Sequence, residues 1–205
     1  SVKYIDEYAF NSGCTALKEI VWNASSCIGE FPFDNIRTQI GSLTFGDSVV
    51  YIPENLCAGM SSLKEVTLPT SVKVIAAGAF ANCSSLQRTN YLGDIETWCS
   101  IEFGNANSNP IYQSSNLYIN GKEVRELFIP ESVTQVNDYA FLGCRSLVNV
   151  SLPSTIRRIG LSAFEDCIEI NKTSYSGDVA SWCCIEFANA TSNPMIYSNN
   201  FHLND

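Results

Sequence analysis

The sequence predicts a curved, right-handed repeat solenoid of the strand-rich α/β repeat class. Each coil of ~23 residues should carry one short parallel strand, and two tryptophan-containing insertions should interrupt the series. Three observations predict it. Leu17, Ile40, Leu63 and Leu86 fall 23 residues apart, and Leu147 and Ile170 repeat the step. A second phrase alternates with the first, as "VKYIDEYAFNSGC", "VKVIAAGAFANC", "VTQVNDYAFLGC" and "IRRIGLSAFEDC". Finally, "GDIETWCSIEF" (93–103) returns as "GDVASWCCIEF" (177–187), every matched residue 84 positions later.

The strands come first. "LKEIVW", "LKEVTLP", "LQRTNYL" and "LVNVSLP" space their apolar residues as a strand that buries one face and shows the other. "VRELFIP" (124–130) has the same spacing, giving about seven coils in all. Pro69, Pro130 and Pro153 should end their strands, since proline cannot donate to the next ladder. No single coil buries enough to fold alone, so neighbours must stack and share one core.

The second phrase should build the other wall. Its alanines and glycines permit a tight turn, and Phe80, Phe141 and Phe164 should fill the coil centres. Cys83, Cys144 and Cys167 stand in register behind them, with Cys14 one residue off, which predicts a packing ladder. "VVYIPENLCAGM" is a variant copy, with Cys57 at the phenylalanine position and Met60 at the cysteine position; residues 33–37 are a worn one.

The tryptophan segments read as insertions at about 92–123 and 176–205, carried inside a larger duplicated unit. Asp94 and Asp178 should cap short helices running to Trp98 and Trp182. "SIEF" and "CIEF" read as brief strands, and "NSNP" and "TSNP" as turns. Asn120-Gly121 within "LYINGKEV" predicts a hairpin. Two roles are open to Trp98 and Trp182. They seal the coil edge, the favoured role for large aromatics, or they form a platform that grips a ligand.

Composition excludes several functions. The net charge is −9 and no Lys/Arg cluster occurs, which argues against nucleic acid and anionic membrane surfaces. No apolar run reaches the roughly 20 residues of a membrane span. Nine cysteines without a C-x-x-C pair, and one histidine, His202, leave neither a zinc site nor a Ser/Cys-His pair. The thiols read instead as free and buried. Glu102 and Glu186 match across the duplication but lie too many coils apart for paired-carboxylate chemistry. No cofactor, metal or catalytic residue is expected.

The alternation "L-x-x-I-x-L-P-x-S-V-x-x-I-x-x-x-A-F-x-x-C-x-x-L" resembles the BspA-like, or Treponema pallidum-type, leucine-rich repeats of bacterial surface proteins. It covers nearly the whole chain apart from the tryptophan segments and residues 23–31. It implies one leucine-rich-repeat domain over 1–205, part of a longer secreted or cell-surface protein. The implied role is non-catalytic adhesion to host matrix or cell-surface proteins. A structural spacer and an accessory carbohydrate-binding module are the alternatives. A binding face on the sheet would use Lys18, Lys64, Glu65, Arg88, Arg125, Phe128, Asn149 and Lys172.

Overall fold

The strand-like stretches stack in register, each on the one before. The computed structural model describes residues 3–6, 9–10, 13–25, 27 and 33–203. Glu19–Trp22, Ser42–Phe45, Glu65–Leu68, Arg88–Tyr91 and Leu117–Ile119 form one parallel ladder. Glu126–Phe128, Asn149–Leu152, Lys172–Tyr175 and Asn200–Leu203 form another. Between them Leu117–Ile119 turns back onto Lys122–Glu123 as an antiparallel pair, with Asn120 and Gly121 at φ 50° and 80°. Two left-handed residues in a two-residue loop make the turn that an Asn-Gly dipeptide favours.

A second, narrower wall follows the same plan. Tyr51–Ile52, Val74–Ile75 and Glu102–Phe103 pair in parallel, as do Gln135–Val136, Arg158–Ile159 and Glu186–Phe187. The turn after four of the second-wall strands, all but Glu102–Phe103 and Glu186–Phe187, holds a pair of left-handed residues, such as Gly78 and Asn82, or Tyr139 and Gly143. Glycine takes two of these four places because it lacks the Cβ that penalises the conformation.

The strands alternate in burial, as in Glu65–Leu68, where Val66 and Leu68 point inward. Phe80, Phe141 and Phe164 are fully buried, and the last two stack with ring centroids 5.3 Å apart. Cys83, Cys144 and Cys167 lie beside them with no exposure; Cys83 Sγ donates to Cys57 O at 3.2 Å and Cys167 Sγ to Phe141 O at 3.1 Å. Among the described residues no helix is long and apolar enough to cross a membrane.

The structure departs from the sequence reading in three places. Among the described residues nine strands, five and four, occupy the two main ladders where about seven regular coils were expected. The added two, Leu117–Ile119 and Asn200–Leu203, come from the tryptophan segments. Those segments are therefore coils of the solenoid rather than additions to it. Their step is 28 residues (Thr89↔Leu117, Lys172↔Asn200) against 23 elsewhere (Glu65↔Arg88), and each still supplies a rung to both walls. Lastly, Cys183 and Cys184 are exposed and Cys14 is only partly buried, so the buried-thiol reading fails at these three.

Candidate functional site

The eight candidate face residues divide between the two ladders. Lys18 and Lys64 are exposed and sit just before their strands. Gly41 takes the rung between them, hydrogen-bonded to both, so the two cations stand two rungs apart, roughly 10 Å. Glu65 and Arg88 are direct neighbours, joined by a 3.4 Å ion pair. Arg88 also donates to Gly121 O at 3.2 Å and lies 4.2 Å over the Tyr118 ring. Sequence reasoning missed Tyr118 as a face residue because it treated 117–124 as a hairpin alone. The signal was present in the alternation, which places Tyr118 beside Asn90 on the outward side.

On the second ladder Asn149 and Lys172 are neighbours, and Phe128 lies in register with Ser151. Phe128 is 63% exposed, unusual for a phenylalanine on a regular strand. Arg125 pairs with Glu123 at 3.6 Å. Where the hairpin meets this ladder, a concavity of about 480 Å³ opens, lined by Lys122, Arg125, Glu126, Phe128, Val148 and Asn149. Three of the predicted residues thus converge, while Lys18, Lys64, Glu65 and Arg88 lie on the other ladder.

The tryptophans are positioned by capped helices. Asp94 accepts from Thr97 N at 2.8 Å, and the Thr97 hydroxyl accepts from Asp94 N at 3.2 Å, closing a capping box ahead of Ile95–Cys99. Hydrogen bonds from the Thr97 hydroxyl and backbone hold the Asp94 carboxyl below its ordinary pKa. Asp178 and Ser181 repeat the box ahead of Val179–Trp182. Trp98 is fully buried between Tyr91 and Phe103, and its indole N–H donates to Ala140 O at 2.8 Å. Buried in this way, the ring has no face left for a sugar.

Ala140 belongs to the first coil of the second half, so Trp98 joins the halves. Asn109 does the same, donating to Tyr139 O at 2.7 Å and Ala140 O at 3.1 Å. Asn137 answers from the far side: its backbone N–H donates to Cys99 O at 2.9 Å and its side chain to Ser100 O and Ile101 O. The sequence marked Asn109 only as a turn former in "NSNP"; its return as Asn193 was the available clue. Trp182, by contrast, is partly buried, against Tyr175, Phe187 and Phe201.

Among the described residues no group of three or more His, Cys, Asp or Glu is placed to hold a metal. His202 is exposed on the Asn200–Leu203 strand, and Glu102 and Glu186 are exposed on separate second-wall sheets.

Comparison with known proteins accords with this architecture. Residues 1–109 and 113–202 match, in six copies, the family described as BspA type leucine rich repeat region. Among curated proteins none matches the chain significantly. Similar solved structures include a leucine-rich repeat protein from Bacteroides ovatus, 26% identical over 85% of this chain and 37% of that one, at a TM-score of 0.38. A leucine rich cell surface protein from Faecalibacterium prausnitzii is 23% identical over 83% of this chain and 32% of its own, at 0.30. The T. pallidum leucine rich repeat protein is 18% identical over 91% and 67%, also at 0.30. The chain thus spans about a third of the length of the first two.

Proposed function

Because the chain belongs to the BspA-type leucine-rich repeat family, we propose that it is a non-catalytic protein-binding or adhesion module of a secreted or cell-surface bacterial protein. It acts as one repeat domain whose partner is a protein of the host matrix or of a cell surface. The observation that carries the reading is Phe128, a large apolar side chain held 63% exposed on the sheet face beside Arg125 and Asn149. An exposed aromatic in a concavity, ringed by polar and charged groups, is the make-up of an interface anchor. Surface location rests on family membership alone.

The test immobilises a panel of purified extracellular-matrix and plasma proteins and compares the parent chain with two variants. One is Phe128→Ala; the other carries Lys64→Glu, Arg88→Glu and Arg125→Glu. A partner retained by the parent should bind Phe128→Ala at least about 10-fold more weakly, the scale of one interface anchor. It should also lose salt-dependent affinity in the triple variant. Equal capture of all three proteins moves the site off the sheet face, and capture of none favours the spacer role.

A further inference from the structure

The break between the two main ladders leaves a sheet edge inside the chain. Lys122–Glu123 folds back beside Leu117–Ile119 and takes the place that the next parallel rung would fill. Glu126–Phe128 therefore pairs on one side only, with Asn149–Leu152. By contrast Ser42–Phe45, Glu65–Leu68, Arg88–Tyr91, Asn149–Leu152 and Lys172–Tyr175 are each paired on both sides. At the half-paired strand Arg125 O accepts from Asn149 N, and Ile129 N donates to Ser151 O. A parallel strand turns successive residues to opposite neighbours, so Glu126 and Phe128 aim their N–H and C=O groups the other way. Among the described residues no partner meets these groups. The concavity of about 480 Å³ gives them room; Lys122 and Glu123 line it from the hairpin, and Glu126, Phe128 and Val148 from the ladder. A row of unpaired N–H and C=O groups is a template for another strand.

The side chains along the edge describe what such a strand would carry. Glu126 and Phe128 stand two residues apart, so both point to the outer face, where both are exposed. Arg125 is neutralised by Glu123 at 3.6 Å, whereas Glu126 has no ion-pair partner among the described residues. Charge and brevity alone would mark an edge guarded against pairing. A phenylalanine 63% exposed does the reverse, since it offers an apolar neighbour to whatever pairs beside it. Building on the Phe128 face as the protein-binding surface, we propose that this edge captures an extended segment of the partner protein as an added β-strand. The segment carries Lys or Arg opposite Glu126 and a large apolar residue opposite Phe128, two positions apart on one face. Backbone bonds to Glu126 and Phe128 hold it, and the two side-chain pairs select it.

A displayed library of random octapeptides, selected on the parent chain, tests this. Enriched peptides should place Lys or Arg two residues from a large apolar residue. Phe128→Ala should weaken them at least about 10-fold, the scale of one interface anchor. Glu126→Lys should weaken them too, and exchanging the peptide's cation for Glu should restore binding to that variant. A further series methylates the backbone nitrogens of one such peptide in turn. Alternate nitrogens of an added strand face its neighbour, so methylation should weaken binding roughly 10-fold or more at every second position and spare those between. Peptides that need Phe128 but tolerate methylation everywhere keep the sheet face as the binding surface and overturn strand addition. Peptides indifferent to both Phe128→Ala and methylation overturn the two together. A library that yields no binder overturns strand addition alone, because the panel of whole proteins still tests the surface. Self-association of the parent that Phe128→Ala abolishes gives the edge to a second copy and likewise overturns it.

Discussion

At the residue scale, the cysteine ladder ties stability to alkaline pH. Burial pushes the Cys83 thiol up to about 12 and Cys144 up to about 11, against 9.0 for a free thiol. Between 9.0 and those values the unfolded chain releases protons that the native chain keeps. Stability is therefore full below pH 9.0 and falls as pH rises toward 11–12. At about pH 10 each of the two thiols accounts for on the order of 1 kcal/mol of the loss. Urea unfolding in reductant at about pH 8 and about pH 10 should show that drop, and Cys83→Ala should shrink it by on the order of 1 kcal/mol. An unchanged drop would mean that Cys83 ionises freely in the fold. The burial itself was legible in the sequence, because Cys83, Cys144 and Cys167 keep register with phenylalanines in the same coils. The exposure of Cys183 was not, because its neighbours copy those of buried Cys99 and the difference lies in what packs above.

At the element scale, the short helices depend on their caps. Five residues make too little helix to hold together by propensity, so the Asp94 box and Trp98 packing fix Ile95–Cys99. Asp94→Ala should cost about 1 kcal/mol in a urea titration, and Asp94→Ser much less. The cap also weakens in acid. With the Asp94 carboxyl held below its ordinary 3.8, its contribution is complete above that pH and fades as pH falls through the lowered value. The caps could be read directly, since glycine-aspartate before an apolar stretch is a start signal. The ninth rung and its fellow at Leu117 could not. Both follow a 28-residue step, and the preceding rungs bury Thr89 and Thr173 where leucine or valine is usual. Thr89 is accommodated by a 2.9 Å bond between its hydroxyl and that of Ser114, a pairing that spacing alone does not announce.

At the scale of the whole molecule, the two halves share one apolar core and are joined by side-chain bonds and three backbone bonds rather than by a continuous ladder. Trp98→Ala should cost about 3–5 kcal/mol, as for other large buried aromatics. Since the lost bond lies at the joint, unfolding should also separate into two transitions, which, in a Trp22→Phe background, tryptophan fluorescence at Trp182 and far-ultraviolet circular dichroism would report at different denaturant concentrations. Trp98→Phe keeps much of the buried area and removes one of the two donors to Ala140 O, leaving Asn109, and should cost about 0.5–1.5 kcal/mol. A single coincident transition for Trp98→Ala would show that the joint is not what couples the halves.

Both parallel walls are interrupted at one level. On one wall Leu117–Ile119 leads into a hairpin instead of pairing with Glu126–Phe128, and on the other Glu102–Phe103 does not pair with Gln135–Val136. Within each half, bending would stretch rows of backbone hydrogen bonds. Between the halves it strains the clasp around Trp98, Asn109 and Asn137 and only three backbone bonds, from Asn137 N to Cys99 O and from Arg145 N and Ser146 N to Ser115 O, in place of two continuous ladders. The molecule is thus a jointed rod: two stiff segments with compliance gathered at a single level, so that its end-to-end reach varies through one angle.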